Sequence, residues 1–160
     1  MPAAVYLETT IVSYLTARPS RDLIMAAHQQ ISREWWERRT AFALHVSQLV
    51  VEECSAGDDA AACQRLAMLA DVPVLRYSDE VGALARALVA EGPLPLTAAA
   101  DALHIAFAVV HGMDYLLTWN CAHIANASIR GAIAELCLSR GYEVPVICTP
   151  EELLEEIDGH

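Results

Sequence analysis

One acidic and one amide side chain each stand at the end of a short apolar segment, a position typical of binding sites in α/β proteins. Glu8 ends the segment AVYLE, and Asn120 follows the segment YLLTW. Both segments are short, apolar and prone to form strands. Ligands bind at the carboxyl ends of parallel strands, at the point where the strand order reverses. If the two strands are neighbours, Glu8 and Asn120 meet at such a point.

A third candidate, Asp101, lies in a segment that is apolar on nearly every side. The segment AAADALHIAFAVV, residues 98–110, has only Asp101 and His104 as polar members. Helices of this composition are usually buried, and a buried carboxylate is costly unless it is paired or binds a metal. Asp101 is therefore a candidate metal ligand. The alternative is that the helix dipole and His104, three residues later, stabilise the carboxylate.

A fourth candidate comes from the adjacent acids Glu52 and Glu53 in the otherwise apolar segment QLVVEE. Neighbouring residues of a helix cannot share one face, so one acid turns toward the sheet and the other toward solvent. Together with Glu8, Asp101 and Asn120, the inward acid would complete a set of oxygen ligands without cysteine. Such a set suits Mg²⁺ or Mn²⁺, ions that polarise phosphoryl oxygens and activate water.

The composition limits the class of protein and partner. The chain has 160 residues, 55% of them hydrophobic, and a net charge of −11; all ten basic residues are arginine. Proteins that coat nucleic acid carry the opposite charge, so any contact with nucleic acid must be local. The five cysteines form no C-x-x-C pair, no apolar run would cross a bilayer, and the N-terminus lacks a basic leader. These features predict a globular, cytoplasmic protein without a membrane partner.

The elements that must position these residues alternate between strands and helices. Strands are predicted over residues 4–8, 41–47, 72–77, 114–119 and 144–148. Helices are predicted from a cap at Ser20 to about residue 39, over 48–57, after the cap Asp58, over 79–92, from the cap Thr97 to residue 112, over 128–140 and after the cap Thr149. This alternation predicts one α/β domain over residues 1–160, with a parallel sheet and helices on both faces.

Four motifs, in their order and spacing, resemble those of the PIN-domain family, and within it the VapC-type toxin ribonucleases of type II toxin–antitoxin systems. The motifs are YLETTIVSYL, SQLVVEE, AAADALHIAFA and YLLTWNCAHIAN, and together they span nearly the whole chain. The resemblance implies a three-layer α/β/α fold with a five-stranded sheet in the order 3-2-1-4-5. It also implies an endoribonuclease that depends on Mg²⁺ or Mn²⁺, forms a homodimer and binds a cognate antitoxin.

The resemblance also assigns the positions of the acidic site. Glu8 stands in place of the family's first aspartate, Glu53 in place of its glutamate, and Asp101 in place of its next aspartate. Asn120 stands in place of the last acid. These four are the implied catalytic residues, with Glu8, Glu53 and Asp101 as metal ligands. Glu8 is one methylene longer than aspartate, and Asn120 keeps an oxygen but loses the charge, so the affinity for Mg²⁺ is expected to be lower than in the family.

Four further residues are candidates for contacts with an RNA substrate. Arg18 and Arg21 lie just past the predicted first strand and would meet phosphates; the alternative is solvated surface arginine. Thr118 and His123 flank Asn120, and the alternative for each is an ordinary residue at a strand end or a helix start. The predicted function is hydrolysis of RNA phosphodiesters by a metal-activated water. The alternative function, favoured by Asn120 and the negative charge, is a PIN-fold module with a weakened site that binds RNA or protein.

Overall fold

The strands form one parallel sheet with β1 at its centre. In the computed structural model, which describes residues 1–158, the strands are β1 (Ala3–Leu7), β2 (Phe42–Ser47), β3 (Val74–Leu75), β4 (Tyr115–Leu117) and β5 (Val146–Cys148). Their order is β3-β2-β1-β4-β5, and each neighbouring pair is parallel. The predicted α/β fold and strand order are confirmed. The predicted domain ends at residue 160, and its last two residues lie outside the described part.

Helices flank the sheet and bury its central strand. Within residues 1–158 the α-helices are α1 (Thr9–Thr16), α2 (Leu23–Glu37), α3 (Gln48–Cys54), α4 (Asp59–Met68), α5 (Asp79–Ala90), α6 (Ala99–Val110), α7 (Ala127–Ser139) and α8 (Pro150–Asp158). Val5, Tyr6 and Leu7 of β1 are all fully buried. Because successive side chains of a strand point to opposite faces, both faces of the sheet are covered. None of the described helices is long and apolar enough to cross a membrane.

The strand β3 is shorter than the predicted strand 72–77, and Pro73 explains where it begins. The N–H of Val46 donates to the carbonyl of Pro73 at 3.0 Å, which pairs Val46 with Val74. In a parallel ladder, the next hydrogen bond back along the strands would join an N–H of residue 73 to the carbonyl of Leu44. Proline has no N–H, so the pairing of β2 with β3 ends there.

The helix α1 has no counterpart among the predicted helices. Its sequence, TTIVSYLT, is rich in β-branched residues, which have low helix propensity. The helix forms because its apolar side is buried, with Ile11 and Val12 in the core. Since α1 follows β1 directly, it separates the strand from Arg18 and Arg21. The prediction that these arginines lie just past the first strand is therefore wrong.

Two predicted helix caps are also wrong. Asp22, not Ser20, caps α2 by accepting a hydrogen bond from the N–H of Met25 at 2.9 Å. Thr97 lies inside a short 3₁₀-helix, Leu96–Ala98, that precedes α6. Before α6 the 3₁₀ turn moves the start of the α-helix past Thr97. Before α2 the hydroxyl of Ser20 accepts the N–H of Asp22 at 3.1 Å, and the helix begins only after Asp22.

Candidate metal centre

The adjoining ends of β1 and β4 hold Glu8 in a buried position. Glu8 is 4% exposed, and its backbone N–H donates to the carbonyl of Leu117 at 3.0 Å. Its Oε1 accepts hydrogen bonds from the hydroxyls of Thr10, at 2.5 Å, and Thr118, at 2.6 Å. One hydroxyl comes from α1 and the other from the residue after β4. Together they fix the carboxylate in place without neutralising its charge.

The helix α3 carries Glu53 to the same edge of the sheet. Its Oε1 accepts a hydrogen bond from the hydroxyl of Thr9 at 2.5 Å and lies 2.7 Å from Nε2 of His104. Glu52 is exposed, so Glu53 is the acid that turns toward the sheet. Burial alone would raise the pKa of Glu53, but the hydrogen bonds from His104 and Thr9 lower the pKa below its ordinary value. Glu53 is therefore a carboxylate at neutral pH.

His104 reaches both carboxylates from α6. It is 1% exposed, and its Nε2 lies 4.0 Å from Oε2 of Glu8 as well as 2.7 Å from Glu53. On the other side of the ring, Nδ1 lies 2.7 Å from the hydroxyl of Tyr6. The alternative interpretation of the sequence pairs His104 with Asp101. In the described part of the chain, the imidazole instead contacts side chains from β1 and α3.

Glu8, Glu53 and His104, which we call the inner group, fit a divalent metal ion. Each offers one ligand atom, and the three atoms lie within 4.8 Å of one another. Two carboxylate oxygens and one imidazole nitrogen are ligands that first-row transition ions accept. Asp101 is not a member of this group, and its role as a metal ligand stays a prediction. The sequence gives one indication that His104 belongs to a site, because it is a polar residue inside a helix that is otherwise almost wholly apolar.

Asp101, Asn120 and His123 form a second cluster, which we call the outer group. Nδ2 of Asn120 donates to Oδ1 of Asp101 at 2.9 Å, and Nδ1 of His123 lies 3.1 Å from Oδ2 of the same carboxylate. The amide oxygen of Asn120 accepts hydrogen bonds from the backbone N–H groups of Ala122 and His123. Both ends of the Asn120 amide are thus engaged within the protein. Asn120 orients Asp101 and shapes the loop after β4.

Thr118 joins the inner and outer groups. Its hydroxyl donates to Glu8 and accepts a hydrogen bond from the backbone N–H of Asn120 at 2.9 Å. The next N–H, that of Trp119, donates to the hydroxyl of Thr10 at 2.9 Å. Thr118 is fully buried, and its hydroxyl is engaged by both groups; its predicted contact with a substrate stays a prediction. The loop that carries Asn120 is therefore tied directly to the buried acid.

The predicted phosphate-binding arginines lie on the loop between α1 and α2. Arg18 and Arg21 are both exposed. The side-chain amide of Gln29 donates to the carbonyl of Arg18 at 3.0 Å, which ties this loop to α2. The neighbouring His28 stacks on Trp119 with the ring centroids 4.0 Å apart and the planes 12° from parallel. This stack connects α2, to which Gln29 ties the arginine loop, with the loop after β4, a contact that the sequence does not indicate.

Comparison with known proteins supports the fold. No protein-family model matches the chain, and no curated protein matches it. Among solved structures, the chain is similar to a chain of the crystal structure of VapBC2 from Rickettsia felis bound to a DNA fragment from their promoter, with a TM-score of 0.58 and 15% sequence identity. The similarity covers 91% of this chain and 98% of that one. At this level of identity the similarity is one of fold, and the chain has the PIN-like α/β fold that its motifs predict.

Proposed function

We propose that the chain is a metal-dependent endoribonuclease of the toxin type and that the inner group lies at its metal site. The observation that carries this proposal is the approach of Glu8 and Glu53, from two separate elements, to a common point beside His104. Two carboxylates held this close destabilise a fold unless a cation or a proton joins them. Such arrangements are typical of functional sites. The likeness of fold to VapBC2 supports the same conclusion.

The side chains have distinct roles in this proposal. Glu8 and Glu53 would hold the ion directly, and Asp101, the third carboxylate that the motifs predict, would support them from the outer group. When bound, Mg²⁺ or Mn²⁺ supplies a Lewis acid for a phosphoryl oxygen and lowers the pKa of a water that attacks the phosphodiester. The protein's part is to keep the carboxylates fixed, through two hydroxyls of α1 and one hydroxyl after β4. Asn120 acts through Asp101, whose carboxylate it orients.

The substrate is proposed to be RNA, bound through a few local cationic contacts. Arg18 and Arg21 are exposed on the loop beside α2, and the guanidinium group matches the geometry of a phosphate. The side chain of His123 is 40% exposed next to Asp101. Because the net charge is −11, the rest of the surface repels a polyanion on average. Binding of RNA should therefore depend strongly on these few side chains.

The proposal includes a homodimer, a cytoplasmic location and a cognate antitoxin. The motifs resemble those of VapC-type toxins, and the solved structure of similar fold is that of VapBC2 bound to DNA from their promoter. A chain with a net charge of −11 has little attraction of its own for DNA. A basic antitoxin would supply both the contact with DNA and a charge-complementary surface for this chain.

A second function, RNA or protein binding without cleavage, is favoured by one observation. Both ends of the Asn120 amide are engaged within the protein, so the position where the family has its last acid offers neither a charge nor an unused oxygen. Loss of that ligand weakens the binding of a second ion. In this interpretation the inner group is the remnant of a metal site.

Cleavage of a mixed pool of single-stranded RNA tests the first function against the second. The wild-type protein should cut RNA with Mn²⁺ or Mg²⁺ and stop when a chelator is added. Glu53→Gln should abolish cutting because it removes a charge from the inner group. Glu52→Gln, the same change at the exposed neighbour, should cut like the wild type. RNA that stays intact while the protein retains it on a filter would support the binding module instead. Cutting that survives both the chelator and Glu53→Gln would contradict a metal mechanism.

A further inference from the structure

The imidazole of His104 is held between two carboxylates and one buried hydroxyl, that of Tyr6. Nε2 faces Glu53 at 2.7 Å and Glu8 at 4.0 Å, and Nδ1 faces the hydroxyl of Tyr6 at 2.7 Å. We propose that His104 binds the metal directly through Nε2 and that the site therefore selects Mn²⁺ over Mg²⁺. This inference rests on the proposed metal site and adds a nitrogen ligand that the acidic motifs of the sequence do not include.

The tautomer of His104 decides whether Nε2 can act as a ligand. A neutral imidazole carries one proton, on either Nδ1 or Nε2. With the proton on Nε2, His104 donates to Glu53, and Nδ1 accepts a hydrogen bond from Tyr6. With the proton on Nδ1, His104 donates to the oxygen of Tyr6, and Nε2 presents its lone pair to the space between the carboxylates. Histidines that bind metals have this second arrangement, in which the other ring nitrogen donates to a fixed acceptor.

Ser47 allows the hydroxyl of Tyr6 to donate to one tautomer of His104 and to accept from the other. The hydroxyl of Tyr6 lies 2.8 Å from Oγ of Ser47, and either oxygen can be the donor. When Tyr6 accepts from His104, it donates to Ser47, whose Oγ also accepts the N–H of Val50 at 3.2 Å. A serine oxygen can accept two hydrogen bonds. The whole chain of hydrogen bonds therefore reverses when the two hydroxyl groups rotate and the imidazole carries its proton on Nδ1 instead of Nε2, without moving a heavy atom.

Burial makes this arrangement specific to the inner group. Tyr6 and Ser47 are fully buried, and His104 is 1% exposed, so the chain of hydrogen bonds is closed within the protein. The partners come from β1, the end of β2 and α6, three separate elements that fix the ring plane. His111, the residue that follows α6, donates from Nε2 to the carbonyl of Arg76 at 3.0 Å on an exposed edge. It is a matched histidine that lacks the two carboxylates.

The nitrogen ligand determines which ion the site prefers. Mg²⁺ binds oxygen ligands and keeps much of its water shell. Imidazole nitrogen suits first-row transition ions, whereas carboxylates serve Mg²⁺ and Mn²⁺ alike. A site with only Glu8 and Glu53 would therefore discriminate weakly between Mg²⁺ and Mn²⁺. Adding Nε2 of His104 should raise the affinity for Mn²⁺ more than the affinity for Mg²⁺.

Pulsed electron paramagnetic resonance of bound Mn²⁺ tests this inference without relying on activity. The full-length protein loaded with Mn²⁺ should show hyperfine coupling to ¹⁴N, replaced by ¹⁵N coupling when histidine is labelled. His104→Gln should lose the coupling, and His111→Gln should keep it. Mn²⁺ that binds without nitrogen coupling in the wild type would overturn the inference, and this result requires no variant to fold. If the same preparation cleaves RNA with Mn²⁺, the proposed function stands although the nitrogen ligand is refuted.

Calorimetric titration with Mn²⁺ and Mg²⁺ gives a second readout. The ratio of the two affinities should fall about tenfold in His104→Gln and stay unchanged in His111→Gln. Tyr6→Phe removes the acceptor for Nδ1–H, and loss of such a supporting partner lowers metal affinity by about 10- to 100-fold. Thermal unfolding of each variant shows whether it is folded. A folded His104→Gln protein with the wild-type affinity ratio would contradict the inference, and a wild-type protein that binds neither ion would contradict the proposed function too.

Discussion

The inner and outer groups differ in how much of their hydrogen-bonding capacity the protein already uses. Both side-chain hydrogen bonds to Glu8 end on Oε1, which leaves Oε2 directed toward His104 at 4.0 Å. In the outer group, both oxygens of Asp101 have partners, one from Asn120 and one from His123. The inner group is therefore anchored but incomplete, whereas the outer group is satisfied by its own members. A carboxylate that is anchored through one oxygen and keeps the other oxygen without a hydrogen bond from a side chain suits the proposed metal site.

The inner and outer groups also differ in the exposed fractions of their side chains. The side chains of Glu8 and His104 are 5% and 1% exposed, and Glu53, at 35%, opens the inner group to solvent on one side. In the outer group the side chain of Asp101 is 21% exposed and that of His123 is 40% exposed. An ion in the inner group would thus be held in a low-dielectric surrounding with one open side. The outer group is open to solvent mainly through His123, the side chain that the proposal assigns to contact with RNA.

The largest expected effect is a difference in Mn²⁺ affinity between variants that neutralise one acid of each group. Glu53→Gln should weaken Mn²⁺ binding by roughly 100-fold because it removes a charged ligand. Asp101→Asn should weaken it by less than about 10-fold if the outer group only supports the inner one. Calorimetry and the rise in Tm on adding Mn²⁺ measure both effects. An equal loss of Mn²⁺ affinity in the two variants would show that Asp101 is a direct ligand, as its place in the motif predicts. The distinction between the inner and outer groups would then not hold.

The metal-free stability of the same variants gives an independent comparison. Asp101→Asn weakens the hydrogen bonds from Asn120 and His123 to a charged acceptor, so the free energy of unfolding should fall by about 1 kcal/mol. Glu53→Gln removes a charge beside Glu8, which relieves repulsion and offsets part of its lost hydrogen bonds. A metal-free Asp101→Asn protein that melts higher than the wild type would instead place Asp101 in repulsive contact with other carboxylates.

Asn120→Asp should change the metal affinity in the direction opposite to that of Asp101→Asn. It replaces a 2.9 Å hydrogen bond between Nδ2 and Asp101 by two facing carboxylates, so the metal-free protein should lose about 1–2 kcal/mol of stability. It also adds a charge near the inner group, so Mg²⁺ should bind about tenfold more tightly and cleavage should saturate at lower metal concentration. Unchanged affinity and an unchanged Tm would show that residue 120 does not face the site.

Much of the fold follows from the sequence because local and tertiary preferences agree there. Apolar strands alternate with capped helices, and this alternation predicts the parallel sheet, whereas the strand order is implied by the resemblance of the motifs to those of PIN domains. The disagreements arise where packing or backbone chemistry overrides propensity. The helix α1 forms from β-branched residues because Ile11 and Val12 are buried, and β3 begins late because Pro73 has no N–H.

The candidate site is less visible in the sequence because its partners are distant along the chain. Glu8 and Glu53 stand out as acids in apolar surroundings, and the motifs choose Glu53 over Glu52. His104 is three residues from Asp101, which suggests a local pair, yet its contacts are 98 and 51 residues away, at Tyr6 and Glu53. Such contacts depend on how elements pack, and no periodicity or spacing encodes them.

The smallest expected effect concerns the cysteines next to each group. Cys54, beside Glu53, is buried, and burial raises its pKa to about 11. Cys121, beside Asn120, is exposed. Since the thiolate is the reactive form, a disulfide reagent at pH 8 should modify Cys121 quickly and leave Cys54 intact. The remaining cysteines divide in the same way: Cys63 is exposed, whereas Cys137 and Cys148 are buried, with pKa values raised to about 11 and about 12.

Metal binding should increase the difference between the modification rates of Cys54 and Cys121. Cys54 can react only when α3 opens locally, and an ion bound to Glu53 opposes that opening. If bound Mn²⁺ adds about 1.4 kcal/mol to the opening free energy, the modification of Cys54 slows about tenfold, while that of Cys121 is unchanged. A Cys63→Ser background removes the other exposed thiol, and mass spectrometry assigns each modified residue. Slowing at Cys121 alone would place the ion in the outer group and reverse the comparison between the two.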